Sequence, residues 1–157
     1  MTKLKNLKVP YFSPWINNDD KKAVLNALNH RWLTDGPMLK KFERKFASYI
    51  KSKFAIGTGS ATQSLHLSLR SLDIGVGDEV IVPTFTFAST ANAVIYCGAK
   101  PIFADVDVDT FNINPKEIEK KITKKTKAVI IVHYGGQSCD MDEILLITKK
   151  HKIHLVE

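Results

Sequence analysis

The stretch AVIIVHYGGQSCDMDEILLITKKHKIHLV (128–156) decides the fold. Its first five residues are almost purely β-branched, as in a strand buried on both faces. Asp140 and Glu143 then open a helix with acids in its first turn, and IHLV (153–156) begins a second strand. Two such strands joined through a helix pair in parallel, because parallel neighbours need a crossover connection.

The same alternation extends upstream to residue 53. PIFADV (101–106) reads as a strand, and Asn114, Pro115 and Glu117 carry the cap and first-turn chemistry of a helix start. EVIVP (79–83) is another strand, followed by a helix from about Ser89 to Cys97 that ends at Gly98. KFAIGT (53–58) reads as a short buried strand. In SATQSLHLSLRSL (60–72), Ser60 and Gln63 have capping-box spacing, and Leu65, Leu69 and Leu72 form one apolar face. Leu67 adds a local alternation that suits a strand, and the cap decides for helix.

Before residue 53 the pattern is helical only. DDKKAVLNALNH (19–30) aligns Val24, Ala27 and Leu28, while residues 38–51 align Leu39, Phe42, Phe46, Ala47 and Ile50. RWLTDGP (31–37) forms the loop between them. The expected organisation is an N-terminal helical segment, 1–52, and part of an α/β domain with a mostly parallel sheet, 53–157. The final strand stops at Glu157, where open parallel sheets gather functional residues, so the chain reads as cut short there.

The composition bounds the function. A chain of 157 residues with 44% hydrophobic and 25% charged residues is globular rather than disordered. No apolar run reaches the roughly 18 residues that suggest a membrane span. MTKLKNLKVPYFSPW (1–15) lacks the apolar core of a secretory signal. Cys97 and Cys139 are too few for a disulfide framework and fit a reducing compartment, so the expected location is cytoplasmic. The net charge of +7 concentrates in 116–127 and 149–152 at helical spacing, which reads as a solvated outer face. No nucleic-acid-binding motif accompanies it, no zinc spacing occurs, and neither a nucleic-acid nor a membrane partner is expected.

Three segments can carry chemistry. GTGSAT (57–62) joins a strand to a helix; its glycines let a ligand approach the backbone, and the helix start favours an anion. An ordinary capped turn would read the same way. In VPTFTFAST (82–90), Phe85 and Phe87 are either core residues or a surface for a flat ring. His133, in VHYGGQ (132–137), is a base, a donor or a structural residue. Asp105 and Asp107 in DVDVDT (105–110) read as turn residues, since the glycine and closing glutamate of a calcium loop are missing.

Seven segments in order together resemble the sugar aminotransferases of the DegT/DnrJ/EryC1/StrS family. They are VPYFSPWI (9–16), RWLTDGP with the following Phe42-Glu43, GTGSATQSLHLSL (57–69), GVGDEVIVPTFTFASTANAV (75–94), GAKPIFADVDVDTFNI (98–113), TKAVIIVHYGGQSCDMDEI (126–144) and KIHLVE (152–157). The resemblance covers nearly the whole chain. It implies the front part of the large domain of a type I pyridoxal-phosphate-dependent transferase. The cofactor would be pyridoxal 5'-phosphate, with Ser60, Ala61, Thr62 and Gln63 at its phosphate and Phe87 on its ring.

The resemblance further places Trp32, Leu33, Thr34, Asp35 and Gly36 in a loop near the sugar, Asp35 standing where the family more often has Thr or Ser. His133, Tyr134 and Gln137 would lie at the edge of the site. It implies amino transfer, with glutamate as donor, to a nucleotide-linked keto sugar in polysaccharide, glycan or antibiotic-sugar synthesis, by a homodimer. The family's pyridine-nitrogen aspartate and Schiff-base lysine would fall beyond Glu157, so the chain alone is expected to be inactive. The alternatives are a non-catalytic scaffold of that fold, or part of a lysine-less dehydratase relative.

Overall fold

The computed structural model describes residues 13–157. Part of VPYFSPWI and of the 1–52 segment therefore lies outside the described residues. The chain divides into two compact units, one ending at Gly57 and the other spanning Thr58–Glu157.

In the first unit, α1 (Asn18–Leu28) starts on a reciprocal cap. The Asn17 side chain accepts the Asp19 and Asp20 N–H groups at 2.7 and 3.0 Å, and Asp20 accepts the Asn17 N–H at 2.8 Å. Pro37 opens α2 (Pro37–Tyr49), where a missing N–H removes no helical bond. The apolar stripes expected on both helices form, yet Val24, Leu28, Phe42 and Phe46 all remain exposed.

KFAIGT is not a strand. Residues 53–58 pair with no other segment among the described residues, and Phe54 and Ile56 are 73% and 83% exposed. An apolar, extended stretch becomes a strand only when a neighbour supplies the other half of its hydrogen-bond ladder. The N–H of Gly57 instead donates to Glu43 Oε1 of α2 at 2.8 Å.

The second unit follows the sequence expectation closely. Its elements are α3 (Ala61–Ser71), β1 (Glu79–Pro83), α4 (Ser89–Tyr96), β2 (Lys100–Ala104), α5 (Pro115–Lys121), β3 (Thr126–Ile130), α6 (Met141–His151) and β4 (His154–Val156). All strand pairs are parallel, in the order β2-β1-β3-β4. Side-chain alternation along each strand separates two cores. Val80, Val82, Ala128 and Ile130 pack with Leu69 of α3 and Ala93 and Val94 of α4. Ile81, Val129 and Ile131 pack on the other side with Ile118 of α5 and Ile144 and Ile147 of α6.

Local chemistry sets the helix ends. Asn114 caps α5 through the Lys116 N–H, and Asp140 caps α6 through the Glu143 N–H at 3.3 Å. Gly98, at φ 77°, ends α4 in the left-handed conformation, with its N–H on the Ile95 carbonyl at 2.8 Å. The lysines of 116–127 and 149–152 lie exposed, and Lys150 reaches Glu119 of α5 at 2.6 Å.

Leu69 has no exposed surface, whereas its helix neighbour Leu67 is 56% exposed. Leu69→Ala is expected to destabilise the chain by about 2–5 kcal/mol. Leu67→Ala should stay within about 0.5 kcal/mol. Urea unfolding of the two variants beside the parent measures both.

Candidate functional site

The carboxyl edge of the sheet collects the loops that follow β1, β2 and β3. The chain leaves α3 at Leu72 and enters β1 at Glu79, so α3 runs opposite to β1 and starts toward this same edge. Ser60 is extended at φ −164° and caps α3, its Oγ accepting the Gln63 N–H at 3.3 Å. The expected capping box is only half formed. Gln63 Oε1 passes the cap and accepts the Gly59 N–H at 2.9 Å. Gly59 permits this, since a Cβ there would sit 2.8 Å from Gln63 Oε1.

Thr58 Oγ1 lies 2.6 Å from Ser64 Oγ and also donates to the Ser60 carbonyl at 3.1 Å, closing the turn internally. The Ala61 and Thr62 N–H groups are left as helix-start donors with no intrahelical acceptor. Aligned peptide dipoles add positive potential at that point. A ligand oxygen reaching the Gln63 N–H would compete with Ser60 Oγ.

After β1, the Thr84 N–H donates to the Ala104 carbonyl at 3.0 Å and prolongs the ladder. The hydroxyls of Thr86 and Thr90 meet at 2.8 Å, tying this loop to the start of α4. The two phenylalanines then separate. Phe85 joins a cluster with Phe111 and Tyr134, ring centroids 5.4 and 5.0 Å away, and those two rings are 5.7 Å apart. Phe87 stands 79% exposed.

After β3, the His133 ring is held from both sides. The Cys139 N–H donates to Nδ1 at 3.0 Å, so Nδ1 carries a lone pair and the ring proton sits on Nε2. Nε2 faces Glu157 Oε2 at 3.0 Å, following β4. Tyr134 begins a single 3-10 turn through Gly136, with Gly135 and Gly136 at φ 61° and 83°, and Gln137 is exposed beyond it. The left-handed backbone explains the glycine pair.

Two residues that local sequence signals did not single out organise this edge. Asn112 is buried, and its amide accepts the Tyr134 N–H at 2.8 Å while donating to the Gln137 and Ser138 carbonyls, each at 3.1 Å. Phe111, at φ 58°, turns its ring into the aromatic cluster. Both belong to the loop after β2, where Asp107 Oδ1 accepts the Asp109 and Thr110 N–H groups at 3.0 and 3.1 Å. These backbone bonds hold the Asp107 carboxyl below the usual carboxylate range. Asp107 is thus a turn residue, as its sequence context suggested.

The loop carrying Trp32, Leu33, Thr34, Asp35 and Gly36 belongs to the first unit. Trp32 and Leu33 are exposed, and Asp35 adopts φ 49°. Gly36 is required sterically, because a Cβ there would collide with the Trp32 carbonyl oxygen.

The profile of the DegT/DnrJ/EryC1/StrS aminotransferase family matches residues 14–157. The chain belongs to this family. Among its similar DegT-family relatives is the spore coat polysaccharide biosynthesis protein SpsC of Bacillus subtilis, 43% identical across the whole chain and covered over 40% of its own length. The dTDP-3-amino-3,6-dideoxy-alpha-D-galactopyranose transaminase of Aneurinibacillus thermoaerophilus is 44% identical over 87% of the chain, which spans 38% of that protein. Among solved structures, an aminotransferase from Psychrobacter cryohalolentis superposes with a TM-score of 0.83 at 40% identity, over 92% of this chain and 38% of that one. NtdA from Bacillus subtilis, with bound cofactor PMP, gives 0.83 at 36% identity, over 89% and 33%. The chain therefore spans about two fifths of the curated relatives' length.

Burial raises the thiol pKa of Cys139, helped by the nearby Glu157 charge, and burial likewise raises that of Cys97. Both thiols should resist alkylation at pH 8 in the folded chain and react on unfolding. A raised folded pKa gives a contribution to stability that is present below the ordinary thiol range and lost as pH rises through the raised value. Mass-spectrometric alkylation of native and urea-unfolded chain, with unfolding curves at rising pH, tests both expectations.

Proposed function

We propose that the protein carrying this chain transfers an amino group to a nucleotide-linked keto sugar, using pyridoxal 5'-phosphate held at the carboxyl edge of the sheet. The observation that carries this reading is the start of α3, where Ser60 and Gln63 close the turn and leave the Ala61 and Thr62 N–H groups open. That arrangement fits a phosphate dianion, which needs convergent donors and a favourable dipole. When bound, the cofactor supplies an electron-accepting ring that carries the amino group between donor and acceptor.

The residues of the chain divide the remaining work. Thr62 adds a hydroxyl beside the open N–H groups. Phe87 offers an exposed flat face to the ring, and exclusion of water from that face strengthens the polar contacts around it. Tyr134, Gln137 and the His133–Glu157 pair form the rim, with the ring proton of His133 held at Nε2 toward the carboxylate. Trp32, Leu33, Thr34, Asp35 and Gly36 are assigned to contact with the sugar.

The nucleotide-sugar substrate rests on the dTDP-sugar transaminase among the relatives, and a role in polysaccharide synthesis on the spore coat protein. Glutamate is the proposed amino donor. The net charge of +7 would draw a phosphorylated substrate toward the protein. A homodimer is the proposed assembly, supported by the exposed apolar stripes of α1 and α2. A cytoplasmic location agrees with two free, buried cysteines. Among the described residues, no helix is long and apolar enough to cross a membrane.

Thr62→Ala and Phe87→Ala should each weaken binding of pyridoxal phosphate, on the order of tenfold for a lost charge-assisted hydrogen bond or stacking face. Equilibrium titration followed by the cofactor's absorbance measures this, and unchanged affinity in both variants would remove the site from this edge. Residues 1–157 tested alone should show no amino transfer and no single lysine fixed to the cofactor by borohydride. Stoichiometric labelling of one lysine, with turnover, would overturn that expectation.

A further inference from the structure

The loops after β2 and β3 are joined at one side chain. Asn112 is only 4% exposed, and each of its polar groups is engaged. Its backbone N–H donates to Thr110 Oγ1 at 3.3 Å, and its carbonyl accepts the Asp107 N–H at 2.9 Å. Its side chain spans 22 to 26 residues of sequence to reach Tyr134, Gln137 and Ser138.

Only a carboxamide satisfies this position. Oδ1 must face the Tyr134 N–H donor, and Nδ2 must face two carbonyl oxygens. A carboxylate would set negative charge against those carbonyls, and an alkyl group would leave three part-buried backbone groups without this partner. The bonded loop contains two left-handed glycines, Gly135 and Gly136, whose backbone freedom makes an external brace necessary. On one side of the brace lies His133, held to Glu157; on the other lies the Tyr134 ring against Phe85 and Phe111.

We propose that Asn112 is the positioning residue of the site's rim: its amide fixes the 133–138 loop and so presents Tyr134 and His133 to the bound substrate. The part played in substrate binding rests on the function proposed above; the brace itself does not.

The test compares Asn112→Ala and Asn112→Asp with Val108→Ser, a control at an exposed position in the same loop. Amide hydrogen exchange is followed across the chain. Asn112→Ala, which removes the acceptor of the Tyr134 N–H, should speed exchange there on the order of tenfold, and Asn112→Asp, which keeps that acceptor and loses only the two donations to the Gln137 and Ser138 carbonyls, should speed it less. Exchange at Val129 and Ile130 in β3 should stay within about twofold, with the control unchanged throughout. Equal acceleration at Tyr134 and in β3, or collapse of either variant, would reduce Asn112 to a general stability residue and overturn the proposal. No change at Tyr134 would overturn it as well. In an amino-transfer assay of the whole protein that carries this chain, Asn112→Ala should raise KM for the keto sugar about tenfold while kcat changes less than about threefold. A fall in kcat at constant KM would remove Asn112 from substrate positioning. If that whole protein, unsubstituted, transfers no amino group, the proposed function fails, and the exchange measurement still decides the brace.

Discussion

Strand β3 has no face to spare. Ala128 and Ile130 enter the core beneath α3 and α4, while Val129 and, just past the strand, Ile131 enter the core beneath α5 and α6. Its backbone is bonded to β1 on one side and β4 on the other. A strand so enclosed can present chemistry only where it ends. Parallel pairing makes neighbouring strands end at the same edge, so the loops after β1, β2 and β3 meet there. The placement of the candidate site follows from this burial.

The helices complete the arrangement through their direction. Both α3 and α4 return across one face of the sheet, so their starts lie at its carboxyl edge. The opposite edge receives the ends of α4 and α6, marked by the left-handed caps Gly98 and Lys152. The polar groups at the functional edge are satisfied mostly by one another: Ser60 by Gln63, Thr86 by Thr90, His133 by Cys139 and Glu157, and Asn112 by three backbone groups. Such closure fixes the loops in place and isolates the few groups left open, chiefly the Ala61 and Thr62 N–H groups and the Phe87 ring.

The first unit shows what amphipathic pattern alone achieves. Asn17 and Pro37 fix the starts of α1 and α2, and the hydrophobic stripes fall on single faces as their spacing requires. Those stripes nevertheless remain exposed. Residues 53–58 behave alike, with Phe54 and Ile56 exposed and no ladder formed. Periodicity specifies which side chains share a face; it does not supply the surface that covers them.

The sequence by itself determined the parts of the second unit whose causes are local. β-Branched runs set β1 and β3, and Ser60, Asn114 and Asp140 set helix starts through hydrogen-bond partners two or three residues away. Parallel pairing followed from strands alternating with helices. Family resemblance added what spacing could not, the expectation that the turn at 57–63 binds an anion. Tertiary structure alone decided the partners that lie far apart in the chain. Phe85 and Phe87 parted between a cluster with Phe111 and Tyr134 and solvent, and Glu157 met His133 across 24 residues. Asn112 carried no local signal, because its three side-chain partners are backbone groups of a distant loop. Hydrogen bonds of that kind are set by where two loops end in space, and no short window of sequence contains both.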